Sequence, residues 1–173
     1  GILNSDDELE NNHTLSHVIE HITKENADIL YGDLVYCKYD AIEHNPPRIV
    51  RYWKSNPFRE WEIAMGWMPP HPTLYCRKRV FDKVGLYRTD FRISADYEFI
   101  LRAFTMPEIK KTYLHEVITR MEKGGISNRN LRTMCVKTKE DIWAMKIHHM
   151  NIPLTILCKN MRKVKQFIRH TNA

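Results

Sequence analysis

Apolar residues recur at Leu15, Val18, Ile19 and Ile22, the i, i+3, i+4, i+7 spacing of one helix face, and predict an amphipathic helix after the acidic opening Asn4-Ser5-Asp6-Asp7-Glu8. Residues 28–37 are rich in aromatic and β-branched side chains and read as a strand, with Gly32 as a bulge or a start. Asn45-Pro46-Pro47 is a turn leading to a short strand over 48–52. Met68-Pro69-Pro70-His71-Pro72-Thr73 then forms rigid, non-helical chain, because three prolines in four positions fix φ and remove donors. Beyond it the pattern predicts a strand at 74–77 and a short helix at 78–84 stopped by Gly85. A second helix at 96–104 turns Phe99, Ile100 and Ala103 inward, and a strand follows at 112–121. Gly124-Gly125 marks a break, and helices at 131–149 and 154–169, separated by Pro153, complete the chain. No internal repeat or low-complexity run interrupts this order.

Composition narrows the class. With 173 residues, 43% hydrophobic and 28% charged, the chain has the balance of one soluble globular domain able to bury a core. The stretch 61–76 contains a single charge but also three prolines, and is too short and too broken to cross a bilayer. Cys37, Cys76, Cys135 and Cys158 show no CxxC spacing and no signal segment precedes them, so free thiols in a reducing, cytoplasmic compartment are expected. The net charge of +6 hides a polarity: residues 1–28 carry seven acids and one Lys, whereas 129–173 carry ten Lys/Arg against Glu140 and Asp141. A basic end on a near-neutral body implies an anionic partner for that end, not a nucleic-acid-binding body.

Two acidic sites, ninety residues apart, offer chemistry. Asp6 and Asp7 follow the apolar pair Ile2-Leu3 and would lie at the end of a strand. Hard carboxylate oxygens there suit Mg²⁺ or Mn²⁺, with the remaining ligands drawn from water and a diphosphate. The same residues suit an ordinary helix N-cap. Asp96, in Ser94-Ala95-Asp96-Tyr97-Glu98, stands at a helix start, where the ionised carboxylate is favoured and could accept a proton from a sugar hydroxyl. Alone, it too reads as a cap.

Taken together, Leu3-Asn4-Ser5-Asp6-Asp7, Tyr31-Gly32-Asp33, Met68 to Thr73, Val84-Gly85-Leu86-Tyr87, Ser94 to Glu98 and Gly124-Gly125-Ile126-Ser127 occur in a familiar order. The chain resembles the family 2 inverting glycosyltransferases, in particular bacterial enzymes of surface-polysaccharide biosynthesis, over nearly its whole length to about residue 150. The resemblance implies an α/β fold: an incomplete A-type nucleotide-diphospho-sugar transferase fold, a mixed sheet with flanking helices, lacking the N-terminal nucleoside-binding strands. It also implies that Asp6, with Asp7 beside it, binds the metal, although Asn4 stands where the family's motif has its first acid. Asp96 matches the catalytic base, Trp67, His71 and Thr73 would line the acceptor side, and Gly124, Gly125, Ser127 and Arg129 would close over the donor diphosphate. The expected partners are a nucleotide-diphospho-sugar donor and a glycan or lipid-linked acceptor. Residues 1–150 would then form the metal, catalytic and acceptor-side part, and 151–173 a basic C-terminal helix. Because Gly1-Ile2-Leu3 falls where the motif's own strand belongs, the chain reads as starting mid-domain.

Other features are set against plainer roles. His13, His17 and His21 share a helix face, as zinc ligands do, but lie off the apolar stripe and read as solvated. His148-His149 likewise reads as surface. Trp53, Trp61, Trp67 and Trp143 could stack on sugars, with core packing the plainer role for most and Trp67 the best candidate. Residues 154–169 combine Leu157, Met161, Val164 and Ile168 with five Lys/Arg and no acid. Such a helix either packs on the domain or lies on an anionic inner-membrane face, each basic group there adding about 1 kcal/mol. A non-catalytic module that pairs with a second copy of the chain, through a sheet edge left bare, is the alternative to an enzyme.

Overall fold

The structure, a computed structural model, describes residues 1–39, 47–122 and 131–168. Gly124, Gly125, Ser127 and Arg129 lie outside the described residues. In chain order the elements are β1 (Asp7–Leu9), α1 (Thr14–Lys24), β2 (Ile29–Lys38), β3 (Arg48–Trp53), α2 (Glu60–Ala64), a 3-10 turn (His71–Thr73), β4 (Tyr75–Cys76), α3 (Lys78–Val84), α4 (Ala95–Thr105), β5 (Lys111–Glu122), α5 (Leu131–Ile147) and α6 (Ile152–Ile168). The fold class is α/β, with a mixed sheet flanked by helices. The strand order is β1-β5-β2-β3, with β2 and β5 parallel and the other pairings antiparallel; β4 pairs with the start of β2.

β2 is buried on both faces, which is why its sequence reads as a nearly unbroken apolar and aromatic run. Its alternate side chains feed two cores. Ile29 and Tyr31 join Trp67, Phe99, Phe104 and Tyr113 on one side. Leu30 packs with Val18, Leu114 and Ile118 under α1 on the other. In the first core Tyr31 meets Trp67 edge-on at 5.6 Å and stacks on Tyr113 at 5.6 Å, the offset contacts that aromatic quadrupoles favour. Gly32 marks a register irregularity against β5. A Cβ there would lie 2.6 Å from Ile118 Cδ1 and 2.8 Å from the Glu116 carbonyl, so only a glycine lets the strands approach so closely.

Several elements depart from the sequence expectations. Ile2 and Leu3 are exposed and form no strand. The Asp7 amide closes a turn onto the Asn4 carbonyl at 3.1 Å, and the acidic pair therefore stands at the start of β1, not at the end of a strand. Neither Asp6 nor Asp7 caps α1, which begins at Thr14. That helix is also rotated from its expected orientation: Thr14 and Val18 are buried, whereas Ile19 is 64% exposed and Leu15 is exposed as well. Val18, with Ile22 beside it, packs on Leu30, Leu114 and Ile118, and His17, 46% exposed as expected, bonds Glu116 at 2.9 Å while His21 Nε2 bonds Thr112 at 3.1 Å. α2 was not legible in the sequence; five residues are too few to display a periodicity.

α3 ends where Gly85 takes φ +81°, as its position predicts. α6 packs on the body through Thr155, whose hydroxyl donates to the Ala64 carbonyl at 2.9 Å, next to Gly66. The outer side of α6 exposes Leu154, Leu157 and Met161. Among the described residues no helix is long and apolar enough to cross a membrane, and none of the four cysteines is in a disulfide.

Candidate functional site

Asp96 occupies the first turn of α4, and its Oδ1 accepts the Tyr97 amide at 2.7 Å. Its Oδ2 accepts no hydrogen bond from any described residue. The loop that delivers Asp96 is held from α5. Glu140 receives the amides of three consecutive residues, Arg92 at 3.0 Å and Ile93 and Ser94 at 2.8 Å each. Three N–H donors on one carboxylate stabilise its charge, and the Glu140 carboxyl lies below its usual range despite the opposing effect of burial. Ser94, the residue flanking α4, turns its hydroxyl onto Asp141 Oδ1 at 2.7 Å instead of capping its own helix. Asp141 is in turn paired with Lys137 at 3.2 Å and with Lys159 of α6 at 2.8 Å. The Lys159 ammonium also stands 3.7 Å from the centre of the Tyr97 ring. Two helices far along the chain thus fix the turn that carries the predicted base.

His71 and Tyr87 lie within electrostatic reach of Asp96. His71 Nε2 is 2.9 Å from the Tyr87 hydroxyl, and the two rings meet edge-on at 5.6 Å. Burial pushes the His71 imidazole below its ordinary value, with the Asp96 carboxylate pulling the other way. Burial raises the Tyr87 phenol, and Asp96 adds to the rise. The fold therefore brings two predicted site residues, Asp96 and His71, within electrostatic reach of each other. Tyr87 joins them from the Val84 to Tyr87 block.

The other predicted acceptor-side residues lie deeper. The Thr73 hydroxyl is fully buried and bonds the Pro70 and Gly32 carbonyls at 2.8 and 3.1 Å while accepting the Gly32 amide at 3.2 Å, so it pins the proline turn to the bulge in β2. Trp67 is a core residue; its indole N–H bonds Asn56 at 2.8 Å, and its ring packs on Tyr31, Phe58 and Phe104. Thr73 thereby fixes the turn that carries His71.

Asp7 is buried, Oδ2 accepting the Asn4 amide at 2.7 Å and Oδ1 lacking a partner among the described residues, whereas Asp6 is exposed. Burial raises the Asp7 carboxyl, and the neighbouring Asp6 charge adds to this against the Asn4 hydrogen bond. No group of three or more His, Cys, Asp or Glu among the described residues is arranged to hold a metal ion. The strand that carries Asp7 is linked through the sheet to the turn that carries His71. Leu9 opposes Thr119, whose hydroxyl donates to the Pro72 carbonyl at 3.0 Å, beside His71. The opening residues also run past Tyr75, against which Gly1 sits, so Asp6 is at most about 17 Å of extended chain from that point.

Sequence reasoning missed Glu140 and Asp141, because their role is carried by backbone amides distant in sequence. It also missed His148, which reaches the buried Glu98 at 3.4 Å instead of lying on the surface. Glu98 is mainly held by Arg102, two N–H···O contacts of 2.9 and 3.0 Å from one guanidinium nitrogen.

The two depressed histidines make a prediction. Burial lowers both His71 and His148, so protonation favours the unfolded chain; their contribution is complete above the unfolded value near 6.5 and is lost as pH falls through the folded values. Asp96 beside His71 and Glu98 beside His148 reduce the effect without reversing it. Urea unfolding at pH values between about 8 and 5 is expected to show declining stability in the lower half of that window, and a smaller decline in His71→Asn. A flat profile would contradict the assignment.

No protein-family model matches the chain. It is similar to proteins named "PGL/p-HBAD biosynthesis glycosyltransferase" from Mycobacterium bovis (strain BCG / Pasteur 1173P2) and Mycobacterium tuberculosis (strain ATCC 25177 / H37Ra), 27% identical to each over 128 residues. The match covers 73% of this chain and 46% of each relative, so the chain spans about half the length of these curated proteins.

Proposed function

We propose that this chain forms the metal-binding, catalytic-base and acceptor-side part of a family 2 glycosyltransferase of the A-type fold, moving a sugar from a nucleotide-diphospho-sugar to a glycan or lipid-linked acceptor with inversion. The observation that carries the reading is Asp96. It is an ionisable carboxylate with one uncommitted oxygen, on a helix start whose preceding residues 92–94 donate four hydrogen bonds to Glu140 and Asp141 of α5, and it lies within electrostatic reach of His71 and Tyr87. The similarity to proteins named as glycosyltransferases of a biosynthetic pathway agrees with it.

In the mechanism, Asp96 Oδ2 takes the proton from the acceptor hydroxyl as that oxygen bonds the anomeric carbon, and the bond from that carbon to the nucleoside diphosphate breaks on the opposite face. His71, neutral at pH 7, and Tyr87 shape the acceptor side and orient its hydroxyl towards Asp96. The enclosed, unpartnered Oδ1 of Asp7 and the exposed carboxylate of Asp6 fit a hard cation, Mg²⁺ or Mn²⁺, which binds one or two carboxylates and fills its shell with phosphate and water. A cation held there would supply neutralising charge to the departing diphosphate. The exposed Leu154, Leu157 and Met161 on α6, with the basic composition of 154–169, suit a peripheral position on an anionic inner membrane face.

Calorimetric titration of the intact polypeptide with uridine and guanosine diphosphate-sugars tests the reading. Binding is expected to require Mn²⁺ and to vanish in Asp6→Asn/Asp7→Asn. Absence of any metal-dependent binding would favour the alternative, a non-catalytic module that self-associates. The same titration in the presence of phosphatidylglycerol vesicles, against neutral vesicles, reports whether the chain partitions to the anionic surface.

A further inference from the structure

Trp143, on α5, is 39% exposed, and its indole N–H makes no hydrogen bond to a described residue. One face of its ring lies on Phe91, with centroids 4.4 Å apart and planes 13° from parallel. Phe91 is only 4% exposed, so the solvent exposure of the stack lies on Trp143. Arg88 does not cover it. The Arg88 guanidinium carbon is 5.2 Å from both ring centres, whereas a cation on the outer face of Trp143 would be far closer to Trp143 than to Phe91. Arg88 therefore stands beside the stack, where Asp90 fixes it through two contacts of 3.0 and 2.5 Å. Both side chains of this pair are partly open to solvent, at 34% and 48%.

This arrangement combines a flat apolar face, rigid because its underside is packed, with adjoining donors and acceptors already held in place. A pyranose ring has complementary chemistry. Its axial C–H bonds make one face apolar, and its vicinal hydroxyls both donate and accept at the rim. Trp67, favoured for stacking on sequence grounds, has neither property, being enclosed and hydrogen-bonded to Asn56. The location adds to the case. Glu140, which holds the amides of residues 92–94, precedes Trp143 by three residues on the same helix, a rise of about 4.5 Å. Phe91, beneath the Trp143 ring, is the residue directly before those amides. The aromatic platform and the turn that presents Asp96 are thus parts of one rigid unit.

The geometry points to Trp143, with Arg88 and Asp90 at its rim, as a subsite for a neutral pyranose of the acceptor, an assignment that rests on the glycosyltransferase reading above. The platform stacks the sugar next to the reacting one and so sets the acceptor's position relative to Asp96. A sugar bound there leaves a distinct signature, because the four indole N–H groups of the chain give separate resonances.

Titration of the ¹⁵N-tryptophan-labelled protein with methyl pyranosides of glucose, galactose, mannose and fucose is expected to shift the Trp143 signal saturably while that of Trp67 stays still. Arg88→Gln and Asp90→Asn, surface changes that leave the ring stack in place, should each weaken the shift, and Trp143→Ala should weaken binding measured by calorimetry roughly five- to ten-fold. A Trp143 signal that moves with none of these sugars, or that moves equally in the Arg88→Gln/Asp90→Asn variant, overturns the subsite. The two readings fail separately. Transfer that proceeds with an unchanged acceptor KM in Trp143→Ala removes the subsite and keeps the enzyme; a saturable Trp143 shift in a protein with no transferase activity keeps a sugar site and removes the enzyme.

Discussion

Asp96→Asn is expected to reduce glycosyl transfer by about 10²–10⁴-fold while leaving donor binding intact. The amide keeps the shape of the side chain and can still accept the Tyr97 amide at Oδ1, so α4 should start as before. What it loses is the ability of the second oxygen to accept a proton, the one property for which the rest of the structure leaves that oxygen free. Rates measured on the intact polypeptide, alongside calorimetric donor binding, separate chemistry from folding; a variant that retains turnover removes Asp96 from the mechanism. Glu140 supports this residue without touching a reacting atom. Its three amide contacts define the path of residues 92–94, which makes it a positioning residue.

The largest loss of stability is expected from Asp33→Ala. Asp33 lies within β2, is almost completely enclosed, and accepts the Tyr113 hydroxyl at 2.6 Å, the Tyr52 hydroxyl at 2.7 Å and the Ser55 amide at 2.7 Å. One carboxylate therefore ties together β5, β3 and the segment after β3. Removing it strands three donors, two of them buried, at roughly 1–3 kcal/mol for each buried group left unsatisfied. A total of about 3–5 kcal/mol corresponds to a fall in Tm of about 10 °C or more for a chain of this size. Tyr52→Phe, which removes a single donor and leaves the carboxylate two others, should cost about 1 kcal/mol. Thermal unfolding of both variants checks the ranking; equal effects would mean that the network does not act as a unit.

The Asp33 network also explains why Tyr31-Gly32-Asp33 is informative as a block. Tyr31 anchors the aromatic core, Gly32 lets β5 approach, and Asp33 collects donors from two neighbouring elements. None of the three touches the proposed reaction. Together they hold the proline turn, through Thr73 and Gly32, at the height that carries His71 to Tyr87 and Asp96.

Local physics was enough for much of the chain. The β-branched and aromatic run of β2, the positive-φ stop at Gly85 and the acidic start of α4 are each determined by neighbours in sequence, and the structure has all three; the proline segment, expected to be non-helical, closes a 3-10 turn over His71–Thr73. Local reasoning marked Asp96 only as a carboxylate at a helix start; its role as base and the choice of His71 came from the family resemblance. Local reasoning had no means of finding what depends on contacts across the fold. The orientation of α1 is set by Val18 and Ile22 packing on Leu30, Leu114 and Ile118, which leaves Leu15 and Ile19 exposed. The stretch after Asn4 became a turn because a single amide found the Asn4 carbonyl and β5 was available to pair with Asp7. How open each tryptophan is was decided by packing: Trp67 was enclosed by three aromatic rings, Trp143 stacked on Phe91 and stayed 39% exposed, and Trp61 stayed 57% exposed. Periodicity and propensity act over a few residues and fix the elements; side-chain partners tens of residues apart fix how those elements turn, and the candidate site lies where they meet.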